Sequence, residues 1–592
     1  MSIALTMDAT NRHQSFIEEN EALIKANDTW LHFAKPAHVI VAERLEEVLP
    51  ALREIEQLIK LNNWYAAGFV SYEAASAFDA ALYTKPSADF PFLWFGLYSK
   101  PHPVGRIGNP TYETLPILNW QPAVDRETYN TAIEQVRKHI ADGQTYQVNY
   151  TMRLQTVFTG SEWDFFLHLA QNQNKHAAYI NTGRYVICSS SPELFFQLNG
   201  DTITCQPMKG TVKRGRTALE DATQSQWLKN SEKNRAENVM IVDMIRNDLG
   251  RIAQVGSVKV PRLFDTERYP TLWQMTSTVT AKTNASLTQI FTALFPSASI
   301  TGAPKVGTMK MIAGLETTPR KIYTGSIGYI TPKRDATFNV AIRTALIDRE
   351  THRAEYGVGG GIVWDSTSAD EYAEALLKAR VLTEKRPEFS LFETMLWTPE
   401  EESFLRDRHI QRMLDSAYYF DFPVLKAKMD EFLGRISSSF DSPQRVRLLL
   451  DQTGSLALEA SSFEPTENPK FMKARLAREP INSDNLFLFH KTTHREVYEA
   501  ARRDSMDCDD VLLFNERGEL TEFTIGNLVF EMDGGLYTPP VSCGLLAGTF
   551  RAHLIETGQI TERIIHIKEL QDCTRLFMVN SVRKWQEVNL IS

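Results

Sequence analysis

Residues 40–60 alternate apolar and charged positions at the spacing of an amphipathic helix, whereas 64–72 and 90–98 are aromatic-rich runs that read as strands. Helical periodicity returns over 126–142 and stops at Gly143, and a strand follows from about Tyr146 to Leu154. Long helices are predicted near 217–247 and 368–385, with strands over 202–206, 324–330 and 336–348. Several of these strands follow one another without a crossover helix, which predicts an α+β domain layered on a large antiparallel sheet. The charged run Glu384-Lys385-Arg386 and then Pro387 end the last helix, because proline disfavours helical geometry in the residue before it. A new pattern begins near Phe389, which divides the chain into domains at 1–386 and 387–592. The polar stretch 461–470 reads as a loop of the second domain.

A length of 592 residues exceeds what one core sustains, in keeping with that division. Hydrophobic residues make up 43% and charged residues 23%, the balance of an ordinary soluble globular protein. The net charge of -9 argues against a nucleic-acid or anionic-membrane surface, leaving small molecules and proteins as partners. Met1 to Asn20 lacks a basic start followed by an apolar core, and no run approaches the roughly 18 apolar residues that span a bilayer, so a cytoplasmic protein is expected. Cys188, Cys205, Cys508, Cys543 and Cys573 are scattered without a C-x-x-C pair and read as reduced, buried and inert.

The run Pro207-Met208-Lys209-Gly210-Thr211 sets one lysine on a short turn after the strand at 202–206, close to Lys213, Arg214 and Arg216. Lysine is a nucleophile only when neutral. From a reference pKa near 10.4, holding it uncharged at neutral pH costs roughly 4 to 5 kcal/mol. Neighbouring cations and partial burial are the two physical means of supplying that shift. Around this lysine stand further short motifs: Tyr146-Gln147-Val148-Asn149, Ser191-Pro192-Glu193-Leu194-Phe195, Ala236-Glu237-Asn238-Val239-Met240, Ser299-Ile300-Thr301-Gly302-Ala303-Pro304-Lys305, Tyr323-Thr324-Gly325, Ala341-Ile342-Arg343-Thr344, Gly359-Gly360-Gly361 and Glu371-Tyr372-Ala373-Glu374 with Lys378. In this order they resemble the chorismate-utilising enzymes, most closely the aminodeoxychorismate synthases of the component I type, strongly over about 120–385.

The resemblance implies Mg²⁺ held by Glu237 and Glu374 with support from Glu371, hard oxygen donors suited to that ion. It implies a substrate-binding set of Gln147, Thr301, Gly302, Tyr323, Arg343, Gly360, Gly361 and Lys378, in which arginine and close-approaching glycine amides receive the carboxylates of chorismate. Relatives that add water carry a lysine where this chain has Gln147, and anthranilate-forming relatives commonly carry alanine where it has Lys209. The implied reaction is therefore amination at C4 in two displacements, with Lys209 as nucleophile and Glu193 as acid and base. Asn234 stands where relatives tend to place an acid, and Gln274 lies near a family histidine that this chain lacks. No cysteine sits in the Gly-x-Cys-x-Gly turn of glutamine amidotransferases, so ammonia is expected from a separate glutaminase subunit.

From Phe389 on, Leu391-Phe392-Glu393-Thr394-Met395, His409-Ile410-Gln411-Arg412, His490-Lys491-Thr492-Thr493, Leu520-Thr521-Glu522, Asn527-Leu528-Val529-Phe530 and Leu546-Ala547-Gly548-Thr549 resemble the fold-type IV pyridoxal-phosphate enzymes, a two-lobed α/β fold. This implies Lys491 as the cofactor lysine, Glu522 on the pyridine nitrogen, and Arg412 with donors near Thr524-Ile525 and Gly548-Thr549 on the phosphate. Glu388-Phe389-Ser390 replaces the usual Gly-Asp-Gly, so the front lobe is shortened. Taken together the two resemblances imply passage from chorismate to 4-aminobenzoate, the second domain eliminating pyruvate. Two alternatives remain open here: an anthranilate-forming synthase fused to an aminotransferase, and a second domain that has lost catalysis and serves as a scaffold or dimerisation module. A homodimer through the second domain is a further expectation.

Overall fold

The computed structural model describes residues 17–591 apart from 88, 106, 112–114, 116–117, 173–174, 385–386, 438–439, 465–470 and 504–506. The chain forms two compact units, Met1–Lys213 with Ser225–Arg386 and Arg214–Gln224 with Pro387–Ser592. Residues 214–224, assigned from sequence to the first domain, thus pack with the second. The expected loop at 461–470 falls mostly outside the described residues, as do residues 1–16 of the N-terminal stretch and Lys385 and Arg386 of the boundary run.

The first unit carries two ten-stranded sheets. One runs Gly302–Ala303, Gln147–Val157, Arg353–Ile362, Thr344–Asp348, Tyr185–Ser191, His176–Asn181, Glu21–Ala26, Thr29–Phe33, His102–Val104, with Gln121–Pro122 paired beside Gln147–Val157. The other runs Met208–Lys213, Leu272–Lys282, Thr202–Gln206, Leu194–Asn199, Ala336–Val340, Ser326–Ile330, Tyr65–Val70, Leu93–Tyr98, His38–Ala42, with Lys259–Arg268 beside Leu272–Lys282. Their inner faces share one apolar layer, in which Phe33, Ile180 and Ile187 of the first sheet pack with Phe69, Trp94 and Ile327 of the second. Helices cover the outer faces, as the α+β layering predicts. Helix Leu45–Asn62 buries Val48, Leu52, Ile55 and Ile59 on one sheet, and helix Arg126–Ala141 buries Tyr129, Ile133 and Val136 on the other.

Four predicted elements depart from their expected form. The helix expected over 217–247 is two helices, Ala218–Asn230 and Glu232–Gly250, because Ser231 caps the second by accepting from the Asn234 amide. The strand expected over 336–348 is Ala336–Val340 and Thr344–Asp348. The break at Ala341–Arg343 moves the chain from one sheet to the other, with Arg343 at φ 50°. Lys209 lies in strand Met208–Lys213 rather than on a turn, but at a register shift between Met208 and Thr211, so its side chain escapes the regular alternation of the sheet. The helix expected to reach 385 is regular over Ser368–Ala379 and tightens to a 3₁₀ turn at Arg380–Leu382.

The second unit has two sheets, one for each lobe. A four-stranded antiparallel sheet (Glu402–Ser403, Leu391–Thr398, Gln444–Leu450, Leu456–Ser462) packs on helix Arg406–Phe420. An eight-stranded sheet mixes parallel and antiparallel pairs, Met472–Leu476 running parallel to both Asp510–Phe514 and Lys584–Leu590. Lys491 sits between the lobes. Its carbonyl accepts from Phe392 of the small sheet at 3.0 Å, and Thr492 bridges to Leu391.

Candidate active sites

In the first unit the strand ends of both sheets converge on Lys209. Gly361 pairs with Asn149 in the Gln147–Val157 ladder, and a Cβ on Gly361 would overlap both the Gln147 amide nitrogen and the Lys209 amine. Gly361 is therefore the floor on which the two side chains meet. Gln147 is fully buried, and neither its amide oxygen nor its nitrogen has a hydrogen-bond partner. A buried primary amide left unpaired costs about 1–3 kcal/mol, which a bound polar ligand would recover. Gly302 at φ 146° lets its backbone pass against the Gln147 carbonyl, and the buried Thr301 hydroxyl donates to Ser297 and Ala298, so these two residues support Gln147 from behind.

Loss of hydration lowers the Lys209 pKa and the Lys378 cation adds to it, while Glu237, Glu374 and Glu193 pull the other way. The cation acting on Lys209 is Lys378, not its sequence neighbours. Arg214 is engaged with Asp221, and Arg216 with Glu220. Glu193 is buried and pushed up to about 7 by that burial, against the opposing hydrogen bond from Ser299 at 2.6 Å and the Lys209 charge. A carboxyl with that pKa can hold and release a proton near neutrality. Gln274 donates to the Gly210 carbonyl at 2.9 Å, and Asn238 reaches the Lys209 carbonyl at 3.4 Å, which fixes the irregular strand from two sides.

Arg343 forms no ion pair among the described residues, and burial lowers its pKa, with the hydroxyls of Tyr356 and Tyr269 as the only ionisable groups acting on it. An unpaired, desolvated guanidinium is a carboxylate receptor in waiting. Thr324 and Arg343 both hold left-handed backbone, at φ 60° and 50°, a strain of roughly 1–3 kcal/mol each that the surrounding structure must enforce. Tyr323 lies under the Arg153 guanidinium at 4.8 Å, and burial pushes its hydroxyl up to about 12. Lys378 is tied to Glu374 and to the Gly359 carbonyl, both at 2.8 Å.

The three carboxylates expected to serve a metal are half-buried to exposed. Burial and then the like charge of Glu374 raise the Glu371 pKa against the Ser366 hydrogen bond, while Lys378 holds Glu374 down. Among the described residues no three His, Cys, Asp or Glu side chains form a ready-made ion cage. Two carboxylates with open coordination still fit Mg²⁺, which takes one or two protein carboxylates and completes its shell with water and substrate.

In the second unit Lys491 is lowered to about 8, by burial first and then by Arg412, with Glu393 opposing. Glu522 is buried and pushed up to about 7 by that burial, holding the Tyr498 hydroxyl at 2.8 Å, the Asn527 amide at 3.1 Å and the Leu546 amide at 3.2 Å. It has neutral donors but no ion pair among the described residues, which is the surrounding that a pyridinium N–H would complete. Arg412 donates twice to Glu393, at 2.8 and 2.6 Å, and to the Ala547 carbonyl at 2.9 Å, which brings it to the loop entering Gly548 and Thr549. Asn527 lies where a Gly548 Cβ would fall, Thr549 and Ser581 share a 2.6 Å hydrogen bond, and Asn580 donates to the Ile525 carbonyl. The first-turn amides of helix Thr549–Glu556 lack intrahelical acceptors, as in any helix start. These residues fit pyridoxal phosphate: an amine near its own pKa, a buried acid for the ring, and a cation with amides for the phosphate. Thr524 is the exception, since its amide and hydroxyl both donate to Asp510 and it stands behind the cup.

Sequence motifs quoted Glu393 without a role. Burial would raise its pKa, but Arg412 and His409 outweigh this and take it down to about 2, so it orders both residues at once. Tyr498 carries no motif signal and only the fold brings it to Glu522.

Residues 4–384 match the family of chorismate binding enzymes and residues 390–591 match amino-transferase class IV, a fold-type IV class that implies pyridoxal phosphate. The chain is 39% identical over 292 residues to aminodeoxychorismate synthase component 1 of Klebsiella aerogenes, covering 48% of this chain and 64% of that protein. It is 40% identical over 263 residues to aminodeoxychorismate synthase component 1 of Escherichia coli K12, covering 44% of this chain and 58% of that one. The matched stretch thus spans under two thirds of these relatives' lengths. The fold is similar to that of anthranilate synthase component I from Streptococcus pneumoniae TIGR4, with a TM-score of 0.53 and 24% identity over 63% of this chain and 95% of that one. No helix among the described residues is long and apolar enough to cross a membrane. With the family's pattern running through well over half of its length, the chain belongs to the chorismate binding enzymes.

Proposed function

We propose that the chain is a bifunctional 4-aminobenzoate synthase: its first unit converts chorismate and ammonia to 4-amino-4-deoxychorismate, and its second eliminates pyruvate to leave 4-aminobenzoate. The observation that carries this reading is the meeting of the Lys209 amine with an unpaired Gln147 amide over Gly361, within the field of Glu193, Glu237 and Glu374. A glutamine amide cannot act as a base for water. A desolvated lysine amine can attack carbon.

In the first reaction Arg343, Tyr323, Lys378 and the amides of Gly360 and Gly361 receive the substrate carboxylates. Lys209 adds its lone pair at C2, both ring double bonds shift by one position, and the C4–O bond breaks as Glu193 gives its proton to the departing hydroxyl. Ammonia then adds at C4, both double bonds shift back, and the C2–N bond to Lys209 breaks. The neutral lysine and the chain's acid are restored after proton return. Glu237 and Glu374, with Glu371 behind them, would hold Mg²⁺, whose charge neutralises a substrate carboxylate. The ammonia is supplied by a separate glutamine amidotransferase.

In the second reaction pyridoxal phosphate supplies an electron sink for the carbon bearing the amine. Glu522 would keep the ring nitrogen protonated, while Arg412, the Ile525 amide and the Gly548–Thr549 turn would hold the phosphate. The Lys491 amine removes the C4 proton. The C3–O bond then breaks, the enolpyruvyl group leaves as an enolate that takes the proton held by Lys491 to become pyruvate, and the ring becomes aromatic.

Incubation of the purified chain with chorismate, ammonium, Mg²⁺ and pyridoxal phosphate should give 4-aminobenzoate and pyruvate in equal amounts by mass spectrometry. Formation of anthranilate instead would replace this reading with an anthranilate-forming synthase fused to an aminotransferase.

A further inference from the structure

Residues Arg214–Gln224 leave the strand that carries Lys209 and join the second unit, where they are fastened at both ends of a short path to Lys491. The Arg214 guanidinium is buried, donates to Asp221 at 2.6 Å, lies over the Tyr419 ring at 4.0 Å and reaches the Tyr419 carbonyl at 3.2 Å. Tyr419 returns its hydroxyl to the Gly215 carbonyl at 2.7 Å. Gly215 is pressed so closely against Glu220 and Asp221 that no Cβ could be accommodated, and its amide donates to Asp221 at 3.0 Å. Arg216 packs over Phe489 at 4.9 Å.

The segment's last grip is on His490, the neighbour of Lys491. The Arg216 carbonyl lies 3.0 Å from His490 Nε2. A carbonyl only accepts, so Nε2 carries the hydrogen and Nδ1 must accept from the Ser416 hydroxyl at 2.9 Å. The imidazole is 4% exposed and wedged against Tyr419 and Phe420, with centroids at 4.5 and 4.8 Å. Burial takes its pKa down to about 4, so the ring stays neutral and the tautomer is single. On the following residue, the Lys491 carbonyl is held by Phe392, and Ser390 exchanges hydrogen bonds with Thr493. Two strips of chain thus grip the residues on either side of Lys491: Ser390–Phe392 holds its carbonyl and Thr493, and Arg214–Arg216 holds His490.

We propose that Arg214–Gln224 is a working part of the second site, positioning Lys491 through the Arg216 carbonyl, His490 and Ser416. His490 is a positioning residue on this account. It touches neither substrate nor cofactor. The inference rests on Lys491 being the pyridoxal-phosphate lysine, and its test separates the two.

The full chain is loaded with pyridoxal phosphate at a series of pH values, reduced with borohydride, and the cofactor mark on Lys491 is quantified by peptide mass spectrometry. The groups that face Lys491 and set its titration are Arg412, Glu393, Arg495 and Glu522, with the Phe392 ring 5.0 Å from the amine; His490→Leu removes none of them, so a moved midpoint reports displacement of the Lys491 amine among them. His490→Leu should slow marking about tenfold, the scale of one lost buried hydrogen bond, and move its pH midpoint, while amination by the first unit continues. His490→Gln, which keeps a donor at the Nε2 position, should restore most of the rate. Should His490→Leu fail to fold, Tyr419→Phe, which deletes only the hydroxyl on Gly215, should slow marking in the same direction. Marking at the native rate and pH midpoint in these variants overturns the inference. No mark on Lys491 in the unaltered chain overturns the cofactor reading beneath it.

Discussion

Lys209 and Lys491 are both lysines with lowered pKa, yet after burial the largest charge acting on each differs in sign, Glu237 on the first and Arg412 on the second. Around Lys209 three carboxylates oppose desolvation, so its neutral form is favoured once substrate or metal engages them. Around Lys491 the Arg412 cation adds to desolvation and takes the pKa to about 8. Its neutral fraction rises with pH and levels off above that value. The rate of cofactor marking at Lys491 should therefore climb through about pH 8 and then flatten, whereas a lysine at the ordinary value would keep climbing toward about 10.4. Glu193 titrates the opposite way. Its raised pKa keeps it protonated below about 7, and the acid form is lost as pH rises through that value. Glu193→Gln should lower amination by roughly 10²-fold or more and remove that alkaline limb from the kcat profile; a variant that kept the limb would show that another group gives the proton. The lysines and acids were readable in the sequence as motif members. The unpaired state of Arg343 and of Gln147 was not, since it depends on what long-range neighbours fail to provide.

At the scale of elements, the site is made by interruptions. The strand region 336–348 breaks at Ala341–Arg343, Ser231 splits a helix, and a register shift frees Lys209. Sequence periodicity located these elements to within a few residues because their buried faces repeat regularly. The strand break was hidden because apolar residues continue into it at Val340, Ala341 and Ile342, and the helix break because 229–235 is a polar run that a helix also accommodates. The glycine run separates fold from chemistry. A Cβ at Gly359 would strike the Tyr150 backbone carbonyl, whereas one at Gly361 meets only the ends of two flexible side chains. Gly359→Ala should therefore yield little folded protein. Gly361→Ala should fold with an unchanged circular dichroism melt but aminate roughly 10²-fold more slowly, as expected for a displaced nucleophile. Normal turnover in Gly361→Ala would argue that Lys209 works from elsewhere.

For the whole molecule, the division at Pro387 treats each domain as one continuous stretch, whereas the second compact unit also takes in Arg214–Gln224. Residues 214–224 cross over because Arg214 and Gly215 find their hydrogen bonds around Tyr419, some two hundred positions away, and nothing local signals such a pairing. The two chemistries should nevertheless separate cleanly by mutation. Lys491→Ala should continue to consume chorismate and ammonium while 4-amino-4-deoxychorismate accumulates in place of 4-aminobenzoate, as followed by mass spectrometry. Undiminished 4-aminobenzoate formation would remove Lys491 from the second reaction.

The covalent step at Lys209 is tested most directly by quenching the full chain during turnover of chorismate, with Mg²⁺ present and ammonium withheld, and weighing the tryptic peptide that contains position 209. An adduct of chorismate less one water should appear on Lys209, vanish when ammonium is added, and be absent from Lys209→Ala, which should scarcely aminate. An unmodified Lys209 peptide together with near-normal amination by Lys209→Ala would contradict the mechanism.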